Sequence, residues 1–295
     1  GKLNFIADQL IEDYVQHVLS LRPSGVETMS LRPKIIYTPL HGVGGSWVHR
    51  VFEKAGYLGA GTQTGMFIPV PEQIDPNGNF PTVKYPNPEE EGAMDLALAL
   101  AQRESADLII ANDPDADRLA VIYLDPERGY CPLNGNEVGL LIANHLLQEE
   151  MWQNKPLVAT TIVSTSQLKK LALARGASYA ETLTGFKWIA NVAIAHELDG
   201  GLFVLGFEEA LGYTIGDVAR DKDGISAALI LTDIVSLALN ENLTLSDKLE
   251  NIYREIGLSR TKQHSIMREG EIGAAEITNM MNAFRESPMH AIAVK

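Results

Sequence analysis

The chain has 295 residues, of which 45% are hydrophobic and 21% are charged, and its formal net charge at pH 7 is −14. This length suggests about two domains, and the hydrophobic content is typical of an ordinary globular protein. The strong negative charge argues against a nucleic-acid partner and against binding to an anionic membrane surface. An anionic ligand remains compatible with the sequence where local lysine and arginine residues outweigh the overall field.

The sequence also bears on the cellular compartment. Cys131 is the only cysteine, which excludes an intrachain disulfide and a cysteine-based zinc site. The chain contains no run of about 18 apolar residues, and its first residues do not resemble a signal peptide. We therefore expect a cytoplasmic protein with no membrane partner, in which Cys131 packs rather than reacts.

The first half of the chain alternates predicted helices with predicted strands. Apolar residues at helical spacing predict helices, and short apolar runs between turn residues predict strands. The predicted helices are 3–20, 46–55, 93–104 and 136–149, and the predicted strands are 34–40, 108–111 and 119–124. Residues 69–92 carry six prolines and predict a long irregular loop. We expect Gly42, Gly44 and Gly45 to allow a tight turn after the first strand.

The second half repeats this order. The predicted strands are 157–163, 202–205 and 258–267, and the predicted helices are 165–175, 183–195 (after an initial turn), 225–239, 246–256 and 273–284. A strand, an acidic loop and a long apolar helix occur once in each half, which favours duplication of one α/β unit over two unrelated domains. We expect domains at 1–150 and 151–260, with 261–295 completing the second domain and leading to a further one.

This alternation predicts an α/β fold, built as two tandem related α/β domains with mixed, mostly parallel sheets flanked by helices. Ligands of such sheets bind outside the carboxyl ends of the strands. An acidic loop follows a predicted strand in each half. The two loops would share one cleft if the domains face each other.

The first acidic loop carries the strongest chemical signal. Asp113, Asp115 and Asp117 stand at alternate positions between two apolar runs. Three like charges this close repel one another unless a cation binds among them or water screens them. Arg118 adds a fixed positive charge that suits an anionic group such as phosphate. The pattern predicts a divalent-metal loop at the mouth of a sheet.

Three other interpretations of this loop are weighed against a metal site. A solvated acidic turn is a common surface feature. An EF-hand requires Gly and Glu where this chain has Arg118 and Leu124. A phosphatase with Asp113 or Asp115 as nucleophile would also place such a loop after a buried strand. We expect Thr or Val two positions after the D-x-D of that family, where this chain has Leu119. This difference weakens the phosphatase interpretation and does not exclude it.

Together, several stretches resemble the α-D-phosphohexomutases, the phosphoglucomutase/phosphomannomutase family. They are T-P-L-H-G-V-G at 38–44, N-D-P-D-A-D-R at 112–118, T-G-F-K-W at 184–188, G-F-E-E at 206–209 and D-K-D-G at 221–224. The second acidic loop resembles most closely the branch with F-E-E-A-[LI]-G-Y, which includes phosphoglucomutases and phosphopentomutases. The resemblance covers nearly the whole chain, and the Asp-rich loop is its most specific element.

The resemblance implies that this chain is a fragment, the second and third of the four domains of such an enzyme. The family's first domain carries a phosphoserine in a T-A-S-H-N-P type loop, and its fourth carries a phosphate-binding R-x-S-G-T type loop. Neither loop has a counterpart here, so we expect no turnover by these residues alone. The missing domains of the same polypeptide are then its expected partners.

The resemblance also implies roles for particular residues. Asp113, Asp115 and Asp117 would hold Mg²⁺ together with the phosphoserine. Arg118 would hold the same phosphate and, with Lys222, act in catalysis. Lys222 corresponds to a basic residue that meets the phosphosugar, although Lys-Asp-Gly alone also predicts a turn before a helix.

Further residues are assigned to substrate binding. Glu208 matches the glutamate that accepts hydrogen bonds from sugar hydroxyls, with a solvated loop acid as the alternative. Glu209 and Lys187 are assigned to the same task, Lys187 at the start of a helix. Ala210 stands where the family usually has Ser, which leaves one hydroxyl contact and the choice of sugar open. We expect Trp188 in the core, and His41 either near the phosphoserine or packed locally.

The sequence thus predicts part of an Mg²⁺-dependent phosphohexomutase that interconverts hexose 1-phosphate and hexose 6-phosphate. The implied route uses an enzyme phosphoserine and a bisphosphorylated sugar, and the predicted partner is glucose or mannose phosphate. The alternatives are a phosphopentomutase of the same family, a non-catalytic module that binds metal and sugar phosphate, and the Asp-nucleophile phosphatase.

Overall fold

A computed structural model describes residues 8–58, 66–259 and 266–286 of the chain. Contacts divide the chain into two compact units, Gly1–Ser259 and Arg260–Lys295. The first unit holds both β-sheets and all the predicted site residues.

The first half of this unit forms a five-stranded sheet with helices beside it. Its elements are α1 (Asp8–Ser20), β1 (Ile35–Thr38), α2 (Gly44–Lys54), β2 (Phe67–Pro69), α3 (Asp95–Glu104), β3 (Leu108–Ala111), β4 (Ala120–Asp125), β5 (Gly129–Leu133) and α4 (Gly135–Leu146). The strand order is β2-β1-β3-β4-β5. The β1 strand pairs in parallel with β2 and β3, whereas β3–β4 and β4–β5 are antiparallel.

The second half forms a four-stranded sheet. Its elements are β6 (Pro156–Thr161), α5 (Gln167–Ala174), β7 (Ser178–Thr182), α6 (Phe186–Leu198), β8 (Leu202–Glu208), β9 (Gly212–Ile215), α7 (Gly224–Asn240) and α8 (Leu245–Ile256). The strand order is β7-β6-β8-β9, with β6 parallel to both neighbours and β8–β9 antiparallel. The described part of the second unit contains one helix, α9 (Gly270–Glu286), whose side chains are mostly exposed.

The two halves share one topology, which confirms the predicted fold class. In each half the second strand lies at an edge, followed across the sheet by the first, third and fourth strands. In each half the acidic loop connects the third strand to the antiparallel fourth strand. The two loops are therefore topological equivalents. The domain boundary near residue 150 stays a prediction.

The strands that the sequence analysis missed are β2, β5, β7 and β9, and all four lie at sheet edges. An edge strand pairs on one side only and tolerates proline, which cannot donate to a ladder. Pro69 lies in β2 and Pro132 in β5, while β7 is largely exposed or half-buried. These strands therefore lack the continuous apolar runs that identified β1, β3, β4, β6 and β8.

Several other predictions can be compared with the structure. Residues 70–94 contain neither helix nor strand, as expected for the proline-rich loop. The predicted strand at 258–267 falls partly on residues 260–265, outside the described residues, and its described ends are not strand. The helix predicted to begin at residue 3 is described from Asp8 onward.

No single helix in the described ranges is long and apolar enough to cross a membrane. The bent pair of α7 and α8 meets the length and composition criteria only when its two helices are taken together.

Each half contributes a helix to the other half. On α4, a Cβ atom added to Gly139 would lie 2.6 Å from the ring of Phe207 in β8, so this helix packs closely on the second sheet. On α7, Asp233 accepts two hydrogen bonds of 2.8 Å from the Arg22 guanidinium and one of 2.6 Å from the Tyr57 hydroxyl. The exposed fractions of the Arg22 and Asp233 side chains are 7% and 0%, so this ion pair fixes α7 to the first half inside the core.

We predict that Arg22→Met strongly lowers the free energy of unfolding. Removing one partner of a buried ion pair leaves an uncompensated charge, at a cost of about 3–5 kcal/mol. Equilibrium urea unfolding of the chain measures this loss. Arg254→Met is the matched control because Arg254 pairs with Glu250 on the exposed surface of α8, where the expected change is below about 0.5 kcal/mol. Equal effects of the two substitutions would contradict the assignment of the Arg22–Asp233 pair as a core contact.

Candidate active site

The three aspartates of the first acidic loop converge on one point. One carboxylate oxygen from each of Asp113, Asp115 and Asp117 lies within 4.8 Å of the others. Asp115 is exposed, and the other two are partly buried. Burial raises the pKa of Asp113 to about 6, the backbone N–H of Arg118 opposes this, and the charges of Asp117 and Asp115 reinforce it. A divalent cation would relieve this repulsion, and a set of carboxylate oxygens completed by phosphate and water suits Mg²⁺.

Backbone contacts fix the shape of this loop. Ala116 has a left-handed conformation with φ of 60°, and its N–H donates to the carbonyl of Asp113 at 2.9 Å. The buried side chain of Asn112 accepts from the Tyr37 hydroxyl at 3.0 Å and donates to the carbonyl of Arg118 at 2.6 Å. The Asn112 amide thus joins the start of the loop to Tyr37 of β1 and to Arg118 at the end of the loop.

The turn between β1 and α2 supports the same loop from one side. The N–H of Val43 donates to the carbonyl of Pro114 at 2.8 Å, and a Cβ atom on Gly42 would lie 2.3 Å from the Cα of Pro114. Gly42 is required for this close approach. The expected tight turn is present, and its positive φ values, 47° and 63°, belong to Leu40 and His41 rather than to a glycine.

The start of α7 supports the loop from the other side. The N–H of Gly224 donates to the carbonyl of Ala116 at 3.1 Å, and a Cβ atom on Gly224 would lie 2.3 Å from the carbonyl oxygen of Arg118. The first acidic loop is therefore supported by a helix of the second half. Sequence reasoning found the D-K-D-G stretch but not this contact, since it joins residues about a hundred positions apart.

Two basic side chains contact the aspartates. The Nζ of Lys222 lies 2.9 Å from Oδ2 of Asp117 and 3.0 Å from Oδ1 of Asp221. Burial lowers the pKa of Lys222, but the hydrogen bonds to these two carboxylates outweigh it, so the pKa lies above its ordinary value. The Nε of Arg118 lies 3.6 Å from Asp113 and 3.8 Å from Asp117. Among the described residues, nothing accepts a hydrogen bond from this buried Nε, which leaves a donor available to an anionic ligand.

The second acidic loop lies directly against the first. The N–H of Leu119 donates to the carbonyl of Leu211 at 3.0 Å, and Arg118 and Gly212 form an antiparallel bridge. Lys222 also packs at this junction, where its Nζ lies 5.2 Å from the ring centre of Phe186 and a Cβ atom on Gly212 would lie 2.5 Å from its Cδ. The expected sharing of one cleft by the two loops agrees with these contacts.

The predicted sugar-binding residues lie around this junction but differ in their partners. Oε1 of Glu208, at the end of β8, accepts a hydrogen bond of 2.6 Å from the N–H of Gly185. Oε2 of Glu209 accepts from the Ser164 hydroxyl at 2.7 Å, and the N–H of Glu209 donates back to Ser164 at 3.2 Å. Each glutamate thus has one carboxylate oxygen engaged and one without a hydrogen bond among the described residues, and Glu209 is held by two hydroxyls, those of Ser164 and Thr161, where Glu208 is held by one N–H.

The T-G-F-K-W stretch begins α6 beside Glu208. The Nζ of Lys187 lies 5.3 Å from the ring centre of Trp188. The prediction that Trp188 belongs to the core was wrong, because 43% of it is exposed. His41 is buried, and its Nε2 lies 2.8 Å from the Thr82 hydroxyl, which agrees with the local-packing alternative.

Sequence reasoning missed one residue at the site for which a signal was present. Asp223 is the N-cap of α7, and its Oδ1 accepts from the N–H groups of Ile225 and Ser226 at 2.9 and 3.2 Å. An aspartate immediately before a long apolar helix is a recognised N-cap pattern. Its third donor, the Tyr14 hydroxyl, is 209 residues away and left no local signal.

Comparisons with known proteins agree with this architecture. Residues 12–125 match the family model for phosphoglucomutase/phosphomannomutase α/β/α domain II, and residues 134–256 match domain III. A phosphoribomutase from Saccharomyces cerevisiae is 38% identical over 271 residues, covering 88% of this chain and 43% of that protein. A protein named as a probable phosphomannomutase from Haemophilus influenzae is 38% identical over 291 residues, covering 97% of this chain and 54% of that protein.

A solved structure has the same fold. The parafusin phosphoglucomutase from Paramecium superposes with a TM-score of 0.60 at 23% identity, covering 84% of this chain and 42% of that chain. The present chain therefore spans about half the length of the curated relatives it matches. The two domain models match most of the chain, and the fold and the sequence identity to the curated mutases agree with them. The chain therefore belongs to the phosphoglucomutase/phosphomannomutase family, the α-D-phosphohexomutases, and contains their domains II and III.

Proposed function

We propose that this chain is the metal-binding and sugar-binding part of a phosphomutase, which moves a phosphoryl group between two hydroxyl positions of a sugar phosphate. The observation that carries the proposal is the convergence of three carboxylates with two cations, Arg118 and Lys222, at the point where the two acidic loops meet. Phosphoryl transfer needs positioning and charge neutralisation more than covalent chemistry by the protein, and this site offers both.

Asp113, Asp115 and Asp117 are the residues that would hold Mg²⁺. When bound, the ion neutralises charge on the oxygens of the phosphoryl group in transfer. The chain's own contribution is to keep three carboxylates at the required separation, through the hydrogen bonds to the carbonyls of Pro114 and Ala116. The donor to the sugar would be a phosphoserine in the part of the longer polypeptide that precedes these domains.

Arg118 and Lys222 would stabilise the phosphoryl group and the oxygen on which charge develops during its transfer. The planar Arg118 guanidinium can bind two phosphate oxygens, and its Nε, 3.6 Å from Asp113 and 3.8 Å from Asp117, has no hydrogen-bond acceptor among the described residues. As the bond from phosphorus to the serine oxygen breaks, a bond from phosphorus to the sugar oxygen forms, and the proton of that sugar hydroxyl ends on the serine oxygen. Lys222, kept protonated by Asp117 and Asp221, would donate a hydrogen bond to the oxygen that carries the developing charge.

Glu208 would orient the sugar. A carboxylate accepts hydrogen bonds from two neighbouring hydroxyls, and Glu208 has one oxygen fixed by Gly185 and one available. Lys187, at the start of α6, would contact the phosphate at the far end of the sugar. Glu209 would assist from the same loop, less directly because Ser164 holds its carboxylate.

We propose hexose phosphates as the substrate class. Pentose phosphates are a second candidate, because the yeast relative named phosphoribomutase is as similar to this chain, at 38% identity, as the Haemophilus influenzae relative named as a probable phosphomannomutase. Ala210 stands where the family usually has Ser, so the loop that carries Glu208 offers one hydroxyl fewer to the sugar. Family membership favours a mutase over an Asp-nucleophile phosphatase.

The test of this function is an isomerisation assay of the longer polypeptide that contains this chain, with glucose 1-phosphate, mannose 1-phosphate and ribose 1-phosphate as substrates. We expect Mg²⁺-dependent conversion of at least one of them, and chelation of the metal should abolish it. Release of inorganic phosphate without isomerisation would instead identify a phosphatase.

We predict that Asp115→Asn weakens Mn²⁺ or Mg²⁺ binding to this chain by at least about tenfold, or ~1.4 kcal/mol, because one of three converging charges is lost. Calorimetry or Mn²⁺ electron paramagnetic resonance measures the affinity. Asp199→Asn, on an exposed aspartate after α6, is the matched control and should leave it unchanged. Unaltered affinity in Asp115→Asn would remove Asp115 from the metal site.

We predict that Glu208→Gln weakens binding of a hexose bisphosphate to the metal-loaded chain by about tenfold, since a charge-assisted hydrogen bond becomes a neutral one. Glutamine keeps an acceptor for the N–H of Gly185, so the loop should remain folded. Glu209→Gln should have the smaller effect because the hydroxyls of Ser164 and Thr161 and the return bond from the Glu209 N–H hold that residue toward its own domain. The reverse order of the two effects would exchange the roles assigned to these glutamates.

A further inference from the structure

Asp223 is a buried carboxylate with an unusual set of donors. Its exposed fraction is 7%, and its Oδ1 caps α7 through the N–H groups of Ile225 and Ser226. The hydroxyl of Tyr14 lies 3.1 Å from Oδ1 and 3.0 Å from Oδ2. Within the described part of the chain, Tyr14 is the only hydrogen-bond donor to Oδ2. The α1 helix therefore supplies a contact that the helix cap itself does not require.

Tyr14 is held firmly enough to act as a fixed donor. Its ring packs edge-on against Trp47 of α2, with ring centres 6.0 Å apart and an interplanar angle of 89°. Burial raises the pKa of Tyr14, and the charge of Asp223 raises it further, so the hydroxyl keeps its proton. A rigid aromatic ring with a protonated hydroxyl fixes the direction of the Asp223 carboxylate.

The two neighbours of Asp223 both contact the metal loop. Lys222 precedes it and contacts Asp117 at 2.9 Å, and Gly224 follows it and donates to the carbonyl of Ala116 at 3.1 Å. The N–H of Asp223 also donates to the carbonyl of Tyr213 at 2.7 Å. Because Oδ1 of the same carboxylate holds the N–H groups of Ile225 and Ser226, the orientation of the Asp223 side chain helps to fix the backbone turn that carries Lys222 and Gly224.

We propose that Tyr14, acting through Asp223, is a positioning residue that sets the place of Lys222 against the metal loop. This inference rests on the proposed function, in which Lys222 acts on the phosphoryl group. Tyr14 itself need not touch the substrate. Without its hydroxyl, Oδ2 would be a buried oxygen with no donor. A carboxylate that turned toward another donor would withdraw Oδ1 from the N–H groups of Ile225 and Ser226, and the uncapped turn would shift together with Lys222.

A purely structural role is the alternative to this proposal, and a double-mutant cycle separates the two. In the longer polypeptide with full activity, Tyr14→Phe should lower kcat about tenfold with little change in KM, the effect of a small misplacement of a reacting group. In a Lys222→Ala background the same substitution should cost less than about twofold, because the group that it positions is gone. Equal losses in both backgrounds would overturn the proposal.

Two further variants make the cycle specific. Tyr130→Phe is the matched control, since the Tyr130 hydroxyl donates to the carbonyls of Ala101 and Ala106 and makes no contact with the site residues. It should leave kcat unchanged. Asp223→Asn keeps a side chain that can cap a helix but loses the charge, and it should lower kcat in the same direction as Tyr14→Phe.

A readout on this chain alone separates failure of the proposal from failure of the proposed function. In protein labelled with ¹³C at lysine Cε, the Lys222 resonance can be assigned by its loss in Lys222→Arg. We expect Tyr14→Phe, but not Tyr130→Phe, to move this resonance toward that of exposed lysines at constant pH. An unmoved resonance would overturn the positioning role, whatever the enzyme does. A moved resonance in a polypeptide without mutase activity would keep the positioning role and reject the function.

Discussion

Mutual repulsion among three carboxylates is the constraint on which the site depends. Asp113, Asp115 and Asp117 can be held together only if the backbone between them is fixed from outside, because their charges favour an open loop. In the turn after β1, the N–H of Val43 donates to the carbonyl of Pro114. At the start of α7, the N–H of Gly224 donates to the carbonyl of Ala116. The glycines at these contacts, Gly42 and Gly224, are therefore as much a part of the site as the aspartates, since any side chain there would push the loop away.

The duplicated topology explains why the two acidic loops meet. Each connects the third and fourth strands of its sheet, and the start of a strand in one half bridges to the loop of the other at Arg118 and Gly212. The proposed metal-binding and sugar-binding groups thus lie at the same place in two units of one topology. Repetition of the fold brings the two loops together, with different side chains at equivalent positions.

Local patterns predicted a large share of this structure, and distant contacts account for what was missed. The interior strands and the Asp-rich loop could be predicted because their residues are adjacent in sequence. The edge strands could not, because a strand such as β7 pairs on one side and needs no apolar run. The contacts Tyr14–Asp223 and Arg22–Asp233 join residues more than 200 positions apart, and neither partner carries a local signature of the other. The exposure of Trp188 likewise depends on what surrounds α6.

The reciprocal exchange of helices has a consequence for how the polypeptide can be divided. Family models describe two domains, but α4 covers a strand of the second sheet and α7 is anchored in the core of the first half. Dividing the polypeptide between the two domains would separate each helix from the apolar surface that it covers. Both pieces would then expose hydrophobic faces to solvent. The two domains that the family models describe consequently belong to one compact unit, and loosening of either half would disturb the packing that supports the first acidic loop.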